Sequence, residues 1–126
     1  MTSLQRRATL VSSKKNKQSG YLVIWEFQVR SGMKKRFEKM YGPEGEWARC
    51  FKQNASYIGT DLIHHLKARK LKGNRGYLTL DFWTSRKAYD KFRKAHRAEY
   101  KALDQRCEKM TESEREVGRF VRVSKK

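Results

Sequence analysis

The chain has 126 residues, of which 37% are hydrophobic, and carries 31 Lys and Arg against 13 Asp and Glu, a formal net charge of +18. Its length predicts a single domain with one modest core. There is no run of about 18 apolar residues, which excludes a membrane-spanning helix, and the first twenty residues lack the apolar stretch of a secretory signal. We therefore expect a cytoplasmic protein that does not enter a membrane. Its charge favours polyanionic partners, although a solvated basic surface also accounts for it.

The composition of the chain changes near residue 20. Residues 1–20 hold five basic residues, no acidic one and no sustained periodicity, so we expect a mobile basic tail ahead of a domain over residues 21–126. Cys50 and Cys107 form no Cys-x-x-Cys pair and fall on apolar helical positions. We expect both to be buried, reduced thiols.

The first half of the domain alternates between strand and helix patterns. Residues 21–30, "YLVIWEFQVR", place every second residue on a wholly apolar face, which is the period of a strand. Residues 34–42 carry apolar side chains at helical spacing until Gly42-Pro43 ends the pattern, and residues 45–53 form a second short helical segment. Residues 55–66, "ASYIGTDLIHHL", predict a second strand.

The second half repeats the pattern after a basic loop. Residues 67–75 form this loop, and residues 76–83, "GYLTLDFW", predict a third strand. Ser85 caps a predicted long helix whose apolar stripe runs in steps of three and four as far as Met110. A capped turn at "TESE" and a fourth strand at "VGRFVRV" complete the domain.

The order strand, helix, strand, strand, helix, strand predicts an α+β fold. This is the ferredoxin-like βαββαβ unit, in which both helical segments cover one face of an antiparallel four-stranded sheet. The opposite face of the sheet also carries apolar side chains. Two copies that press these faces together would form a dimeric α/β barrel with the helices outside, so we expect a homodimer.

Four stretches resemble a known family. The segments "YGPEGEWARCF", "YIGTDLI", "YLTLDFWTSRKAYDKF" and "HRAEYKALDQRCEKMTESEREVG" are similar to the antibiotic biosynthesis monooxygenase (ABM) family of dimeric α/β barrels, especially a bacterial branch with a Gly-Pro-x-Gly-x-Trp segment. The resemblance spans about residues 21–123. It implies a pocket between sheet and helices that binds, or oxidises without a cofactor, a small aromatic or quinol-type molecule. Whether the chain is an enzyme stays open, because the family includes members without an established activity.

Cofactor-free oxidation requires a base and an aromatic pocket. His96 is the candidate base, with a satisfied core histidine as its alternative, and Trp25 and Trp83 are candidate walls. Asp81 and Glu26 lie in otherwise apolar strands, and we expect each to pair with an arginine instead of having a raised pKa. The remaining predicted pocket residues are Tyr57, Tyr77, Phe92 and Tyr100.

Three alternatives remain beside the oxidative function. The haem-degrading members of the family have an asparagine on the first strand, but this chain has Trp25 near that place, and no metal-ligand spacing surrounds His96. A nucleic-acid-binding sheet is the second alternative, although "RGYLTLDFW" departs from the RNA-recognition pattern after three residues. The third is a purely structural dimer. The residues expected to contact a polyanion, if one binds, are Lys67, Arg69, Lys70, Lys72 and Arg75.

Overall fold

A computed structural model describes residues 19–65 and 75–123 of the chain. Most of the predicted N-terminal tail and the basic positions Lys67, Arg69, Lys70 and Lys72 lie outside the described residues. The described part forms one antiparallel sheet of strand order β2-β3-β1-β4 with helices on one face, which confirms the ferredoxin-like α+β fold. The strands are β1 Tyr21–Val29, β2 Tyr57–His64, β3 Gly76–Trp83 and β4 Thr111–Val121. The helices are α1 Lys34–Tyr41, α2 Glu46–Phe51, α3 Arg86–Ala95 and α4 Arg97–Cys107, followed by a 3-10 turn at Glu108–Met110.

The core lies between the helices and the inner face of the sheet. Strand β1 buries Tyr21, Val23, Phe27 and Val29 on this face, and Trp25 packs against them while partly exposed. The predicted alternation of β1 is therefore confirmed. Both cysteines are buried free thiols, as expected from their helical positions. No helix in the described ranges is long and apolar enough to cross a membrane.

The predicted long C-terminal helix is interrupted at His96. The backbone of His96 has φ −115° and ψ 30°, so α3 ends and α4 begins at this residue. The amide of His96 still donates to the carbonyl oxygen of Phe92 at 2.9 Å, and its ring stacks on the Phe92 ring at 4.7 Å. The bond from His96 to Phe92 thus closes the last turn of α3, and the amide of Tyr100 donates to the carbonyl oxygen of His96 in the first turn of α4 at 2.9 Å. Ser85 caps α3 as predicted, with its Oγ accepting from the amide of Ala88 at 3.1 Å.

The fourth strand begins earlier than the sequence suggests. The predicted capped turn at residues 111–114 is wrong, because these residues are already in β4, where Thr111 lies opposite Val29 and Glu114 opposite Phe27. Pairing with the whole length of β1 satisfies more backbone groups than one capped turn would. The strand preference of a polar segment at a sheet edge comes from this pairing and not from its own composition.

A bulge in β2 determines which side chains face the helices. The register with β3 shifts between Tyr57 and Gly59, which adds one residue to β2. Residues three apart on a regular strand lie on opposite faces. Because of the bulge, Tyr57 and Thr60 are both buried on the inner face.

Gly45 joins α1 to α2 by a close backbone contact. A Cβ atom at this position would overlap the carbonyl oxygens of Met40 and Lys39. The amide of Gly45 also donates to the carbonyl oxygen of Gly42 at 2.9 Å. This contact fixes where α2 begins, and α2 carries Trp47 and Phe51 into the core.

The outer face of the sheet carries apolar side chains that the chain itself does not cover. Phe120 is 45% exposed and Ile63 is 44% exposed. The partly exposed neighbours of these residues on the same face are Leu22, Ile24, Leu78, Leu80 and Phe82. In the middle of the face, the carboxylate of Glu26 accepts from Arg115 at 2.9 Å and lies 2.9 Å from His65 Nδ1.

Candidate functional site

A small cavity lies between the inner sheet face and the helices, where the sequence predicts a pocket. Its volume is about 50 Å³. Every strand and three of the four helices contribute to its wall, so the cavity depends on the whole fold. The lining residues are Trp25, Phe27, Tyr41, Trp47, Phe51, Thr60, Thr79, Asp81, Tyr100, Asp104 and Glu114.

Aromatic rings form a continuous wall on the helical side of the cavity. The rings of Tyr41 and Trp47 lie 5.9 Å apart, and those of Trp47 and Tyr100 lie 4.9 Å apart in an edge-to-face arrangement. Phe27 continues the wall from the sheet, 4.9 Å from Tyr41. Such rings favour a flat apolar ligand, because they offer both faces and edges for stacking.

The polar side of the cavity is a chain of three hydrogen-bonded side chains. The hydroxyl of Thr60 donates to Oδ1 of Asp81 at 2.6 Å. That hydroxyl lies 2.6 Å from the hydroxyl of Tyr57. Because Thr60 has one proton, which Asp81 accepts, Tyr57 is the donor in the second bond. The bulge in β2 makes this series possible, since it places Tyr57 and Thr60 on the same face.

Asp81 is a carboxyl group in an apolar setting. The residue is 9% exposed, and burial raises the pKa of its carboxyl from 3.8 to about 7, although the bond from Thr60 lowers the pKa in part. The expectation that Asp81 pairs with an arginine is therefore wrong, because its bonded neighbour is a neutral hydroxyl. The same expectation is confirmed for Glu26, which pairs with Arg115.

Two further carboxyl groups line the cavity. Burial and the charge of Asp104 raise the pKa of Glu114. Asp104 follows Tyr100 by one turn of α4, and Glu114 comes from β4. Among the described residues, three acidic ones and no basic one line the cavity. A neutral ligand ring with hydroxyl groups can donate hydrogen bonds to such a wall. A carboxylate on the ligand would be repelled by the acidic side chains.

The structure brings some of the predicted site residues together at this cavity. Trp25, Asp81 and Tyr100 line it. Tyr57 lies behind the wall and reaches the cavity through its bond with Thr60. These four come from different strands and helices, which is why only the folded chain unites them.

Four other predicted site residues lie outside the lining of the cavity. Trp83 and Phe92 are both fully buried within the core, with their rings 5.2 Å apart, and the ring of Tyr57 lies 5.3 Å from that of Trp83. Tyr77 bonds to the carboxylate of Glu38. The His96 side chain is 28% exposed, and its Nδ1 lies 3.3 Å from Oε1 of Glu99. The surroundings of His96 are thus the ring of Phe92 and a surface carboxylate.

Several lining residues were not expected from the sequence. Thr60 and Thr79 are polar residues at inward-facing strand positions, and this pattern is a usable signal for a polar cavity wall. Asp104 also has a signal, because it follows Tyr100 by four residues on the same helix face. The remaining unexpected residues are Phe27, Tyr41, Trp47, Phe51 and Glu114.

The size of the cavity limits what it holds in the described conformation. A cavity of about 150 Å³ accommodates benzene, and a single water needs about 10–15 Å³. The observed volume of about 50 Å³ suits a few waters. Binding of an aromatic ring therefore requires part of the wall to move.

The described residues form no metal site and include only one of the five expected polyanion contacts. Within 19–65 and 75–123, no group of three His, Cys, Asp or Glu side chains has the arrangement of a metal site. Arg75 is the one expected polyanion contact in these ranges, and its guanidinium donates to Glu112 Oε2 at 3.1 Å.

The fold of this chain also occurs in a cofactor-independent oxygenase. The structure is similar to that of SnoaB from Streptomyces nogalater, a cofactor-independent oxygenase, with a TM-score of 0.58 and 14% identity over 86% of this chain and 97% of SnoaB. It is also similar to PA3566 from Pseudomonas aeruginosa, with a TM-score of 0.53 and 10% identity over 86% of this chain and 98% of PA3566. No protein-family model and no curated protein matches the chain. At these identities, the likenesses establish the fold.

Proposed function

We propose that the chain is an ABM-like monooxygenase that oxidises a hydroxylated aromatic molecule without a cofactor, with Asp81 as the general base. The observation that carries this proposal is a buried carboxyl group with a pKa of about 7 in the wall of an aromatic cavity. A base of this pKa is half ionised at neutral pH, which suits proton transfer from a phenol. The shared fold with a cofactor-independent oxygenase supports the same reaction class.

The reaction uses oxygen as its only co-reactant. Asp81 accepts the proton of a phenolic hydroxyl, and the resulting phenolate transfers one electron to oxygen. The substrate radical and superoxide combine to form a C–O bond, and the proton held by Asp81 completes a hydroperoxide. Loss of water then breaks the O–O bond and leaves a carbonyl group at the same carbon. One oxygen atom thus enters the substrate, and the other leaves as water with two hydrogens of the substrate.

The protein contributes position, exclusion of water and one proton acceptor. Thr60 holds Oδ1 of Asp81, so Oδ2 is the oxygen available to the substrate. Tyr57 fixes the orientation of the Thr60 hydroxyl. The aromatic wall holds the ring of the substrate against this carboxyl group. The proposal moves the role of base from His96, which lies outside the cavity lining, to Asp81.

The test is oxygen uptake with 1,8-dihydroxyanthrone, whose ring methylene becomes a carbonyl by this chemistry. We expect Asp81→Asn to lower kcat by about 10²- to 10⁴-fold, because the amide cannot accept the proton. His96→Gln should stay within about twofold of the parent, because its ring does not contact the cavity. Isotopically labelled oxygen should introduce one labelled atom into the product.

Glu44→Gln is the matched control, since it makes the same carboxyl-to-amide change on an exposed loop. It should leave the rate unchanged. If His96→Gln lost the activity and Asp81→Asn kept it, the assignment of the base would be wrong. Uptake no faster than the protein-free oxidation for the parent chain on phenolic and quinol substrates would contradict the proposed function itself.

We further propose that a second copy of the chain covers the outer sheet face. The face carries apolar side chains on all four strands, and its central carboxylate, Glu26, pairs with Arg115 and lies 2.9 Å from His65 Nδ1. Asp61 adds a second carboxylate on the edge strand β2. An identical apolar face complements the centre of this surface. Two such faces in contact would form the dimeric α/β barrel that the sequence predicts.

A further inference from the structure

A broad groove lies outside the cavity, between α3, α4 and β4. Its volume is about 830 Å³. Tyr100 and Asp104 line both the groove and the cavity, so these two residues form the partition between them. The groove is lined by Lys87, Tyr89, Asp90, Lys91, Arg93, Lys94, Arg97, Tyr100, Lys101, Asp104 and Arg119.

The groove and the cavity have opposite charge. Seven basic and two acidic side chains line the groove. One of the acidic groups, Asp90, also lies 3.6 Å from Arg86, which is not part of the lining. The cavity on the other side of the partition has three acidic side chains and no basic one. A ligand with an anionic end and a hydroxylated end would therefore have one preferred orientation.

Arg93 is held at the partition before any ligand arrives. Its guanidinium donates to the hydroxyl of Tyr89 at 2.8 Å and lies 3.7 Å from the centre of the Tyr100 ring. A guanidinium has five N–H donors, and the bond to Tyr89 uses one of them. Stacking on Tyr100 limits its rotamers, which reduces the entropy lost when an anion binds. Arg97 and Lys101 follow on α4 and are exposed.

We propose that the molecule bound here is a hydroxylated aromatic that carries a carboxylate or a similar anionic group, which the groove holds while the hydroxyl end reaches Asp81. This inference rests on the proposed function in one respect, which is that the hydroxyl end of an aromatic molecule binds in the cavity. The basic groove attracts the anionic group and the acidic cavity repels it, so the hydroxyl end is the end that enters. The charge of the chain thereby selects both the ligand and its orientation.

The experiment compares two redox-inert probes by isothermal titration calorimetry. One is 6-hydroxy-2-naphthoic acid, which has a hydroxyl at one end and a carboxylate at the other, and the second is its neutral methyl ester. We expect the acid to bind the parent chain about tenfold more tightly than the ester at low salt. Arg97→Gln combined with Lys101→Gln should lower the affinity for the acid about fivefold and leave the affinity for the ester unchanged. The preference for the acid should shrink at about 1 M salt, where the screening length is about 3 Å.

A matched control separates the groove from the general field of the protein. Arg36→Gln combined with Lys39→Gln removes the same two charges from exposed positions on α1, outside the groove. This variant should keep the preference for the acid. A third probe, 6-methoxy-2-naphthoic acid, lacks the phenolic proton, and we expect it to bind more weakly than the hydroxy acid.

Two results would overturn the inference. One is equal affinity of the parent chain for acid and ester. The other is a groove variant that keeps the acid preference but loses affinity for a twelve-nucleotide oligothymidylate, which would make the groove a nucleic-acid surface. Failure of the proposed function is a separate result, because it appears as absent oxygen uptake while the acid preference and its loss in the groove variant persist.

Discussion

Asp81 is the residue on which the proposed chemistry depends. A buried carboxyl group that keeps its proton to a pKa of about 7 is costly to ionise inside the fold. In the unfolded chain the same carboxyl group has a pKa near 4. Between these two values the folded state binds more protons than the unfolded state, so stability falls as pH rises from about 4 to about 7.

We predict that Asp81→Asn becomes stabilising relative to the parent as pH rises. An amide has nearly the same shape and no charge, so the penalty for ionising position 81 disappears. The difference in melting temperature between variant and parent should increase from about pH 4 to about pH 8, since each unit of pKa shift corresponds to about 1.4 kcal/mol. Thermal unfolding at several pH values measures it. A difference independent of pH would show that Asp81 titrates normally.

Thr60 lowers the pKa of this base in part. Its hydroxyl donates to Asp81 and lowers a pKa that burial raises. We predict that Thr60→Val moves the rising limb of the rate against pH to higher pH, because the ionised carboxylate loses its donor. Thr60→Ser keeps the hydroxyl and should restore the parent profile. Identical profiles for Val and Thr would exclude the hydrogen bond as a determinant of the pKa.

At the scale of elements, the extra residue of the β2 bulge is Ile58, which has no partner in the register with β3. Without Ile58, Tyr57 would be two residues from Thr60 on a regular strand, and both would still face the helices. We predict that deletion of Ile58 keeps the bond between Tyr57 and Thr60, whereas Tyr57→Phe removes it and lowers the unfolding free energy by about 1 kcal/mol. Denaturant unfolding measures both changes. A deletion variant several kcal/mol less stable than Tyr57→Phe would show that the bulge itself is needed to hold Tyr57 in the core.

Some of the strands and helices could be predicted from sequence patterns, and others could not. The inner face of β1 was predicted by periodicity alone, and β3 was predicted over the residues that it occupies. The break at His96 has no Gly or Pro to mark it, so the helical stripe continues through it. The extension of β4 was missed because a polar edge strand takes its structure from pairing with β1. The bulge was missed for a similar reason, since register is a property of two strands together.

Part of the site was also predictable from the positions of its side chains on the strands. Trp25 and Asp81 stand out because a large aromatic or a carboxyl group on an inward strand position requires an explanation. His96 also stood out, although the break in the helix removes it from the cavity wall. Glu114 gave no signal, because its position on the inner face depends on where β4 begins.

At the scale of the whole molecule, the proposed dimer depends on the outer sheet face. We predict a dimer at micromolar concentration and a monomer after Ile63→Lys combined with Leu80→Lys, because two charges per copy on this face oppose burial. Sedimentation velocity measures the state. Glu44→Lys, on an exposed loop, raises the net charge by the same two units and is the control. A monomeric parent chain would contradict the proposed barrel, and an unfolded double variant is recognised by its circular dichroism.

The backbone contact at Gly45 has a consequence for how fast a ligand enters. Because the end of α1 and the start of α2 are in backbone contact at Gly45, we expect these helices, and with them Tyr41 and Trp47, to keep their positions when a ligand enters. A ligand would then enter by rotation of Trp25 or Tyr100, which are the partly exposed rings of the wall. Rotation of single side chains is far faster than displacement of helices. Entry should therefore be complete well before the chemical step, and turnover should be limited by the reaction with oxygen.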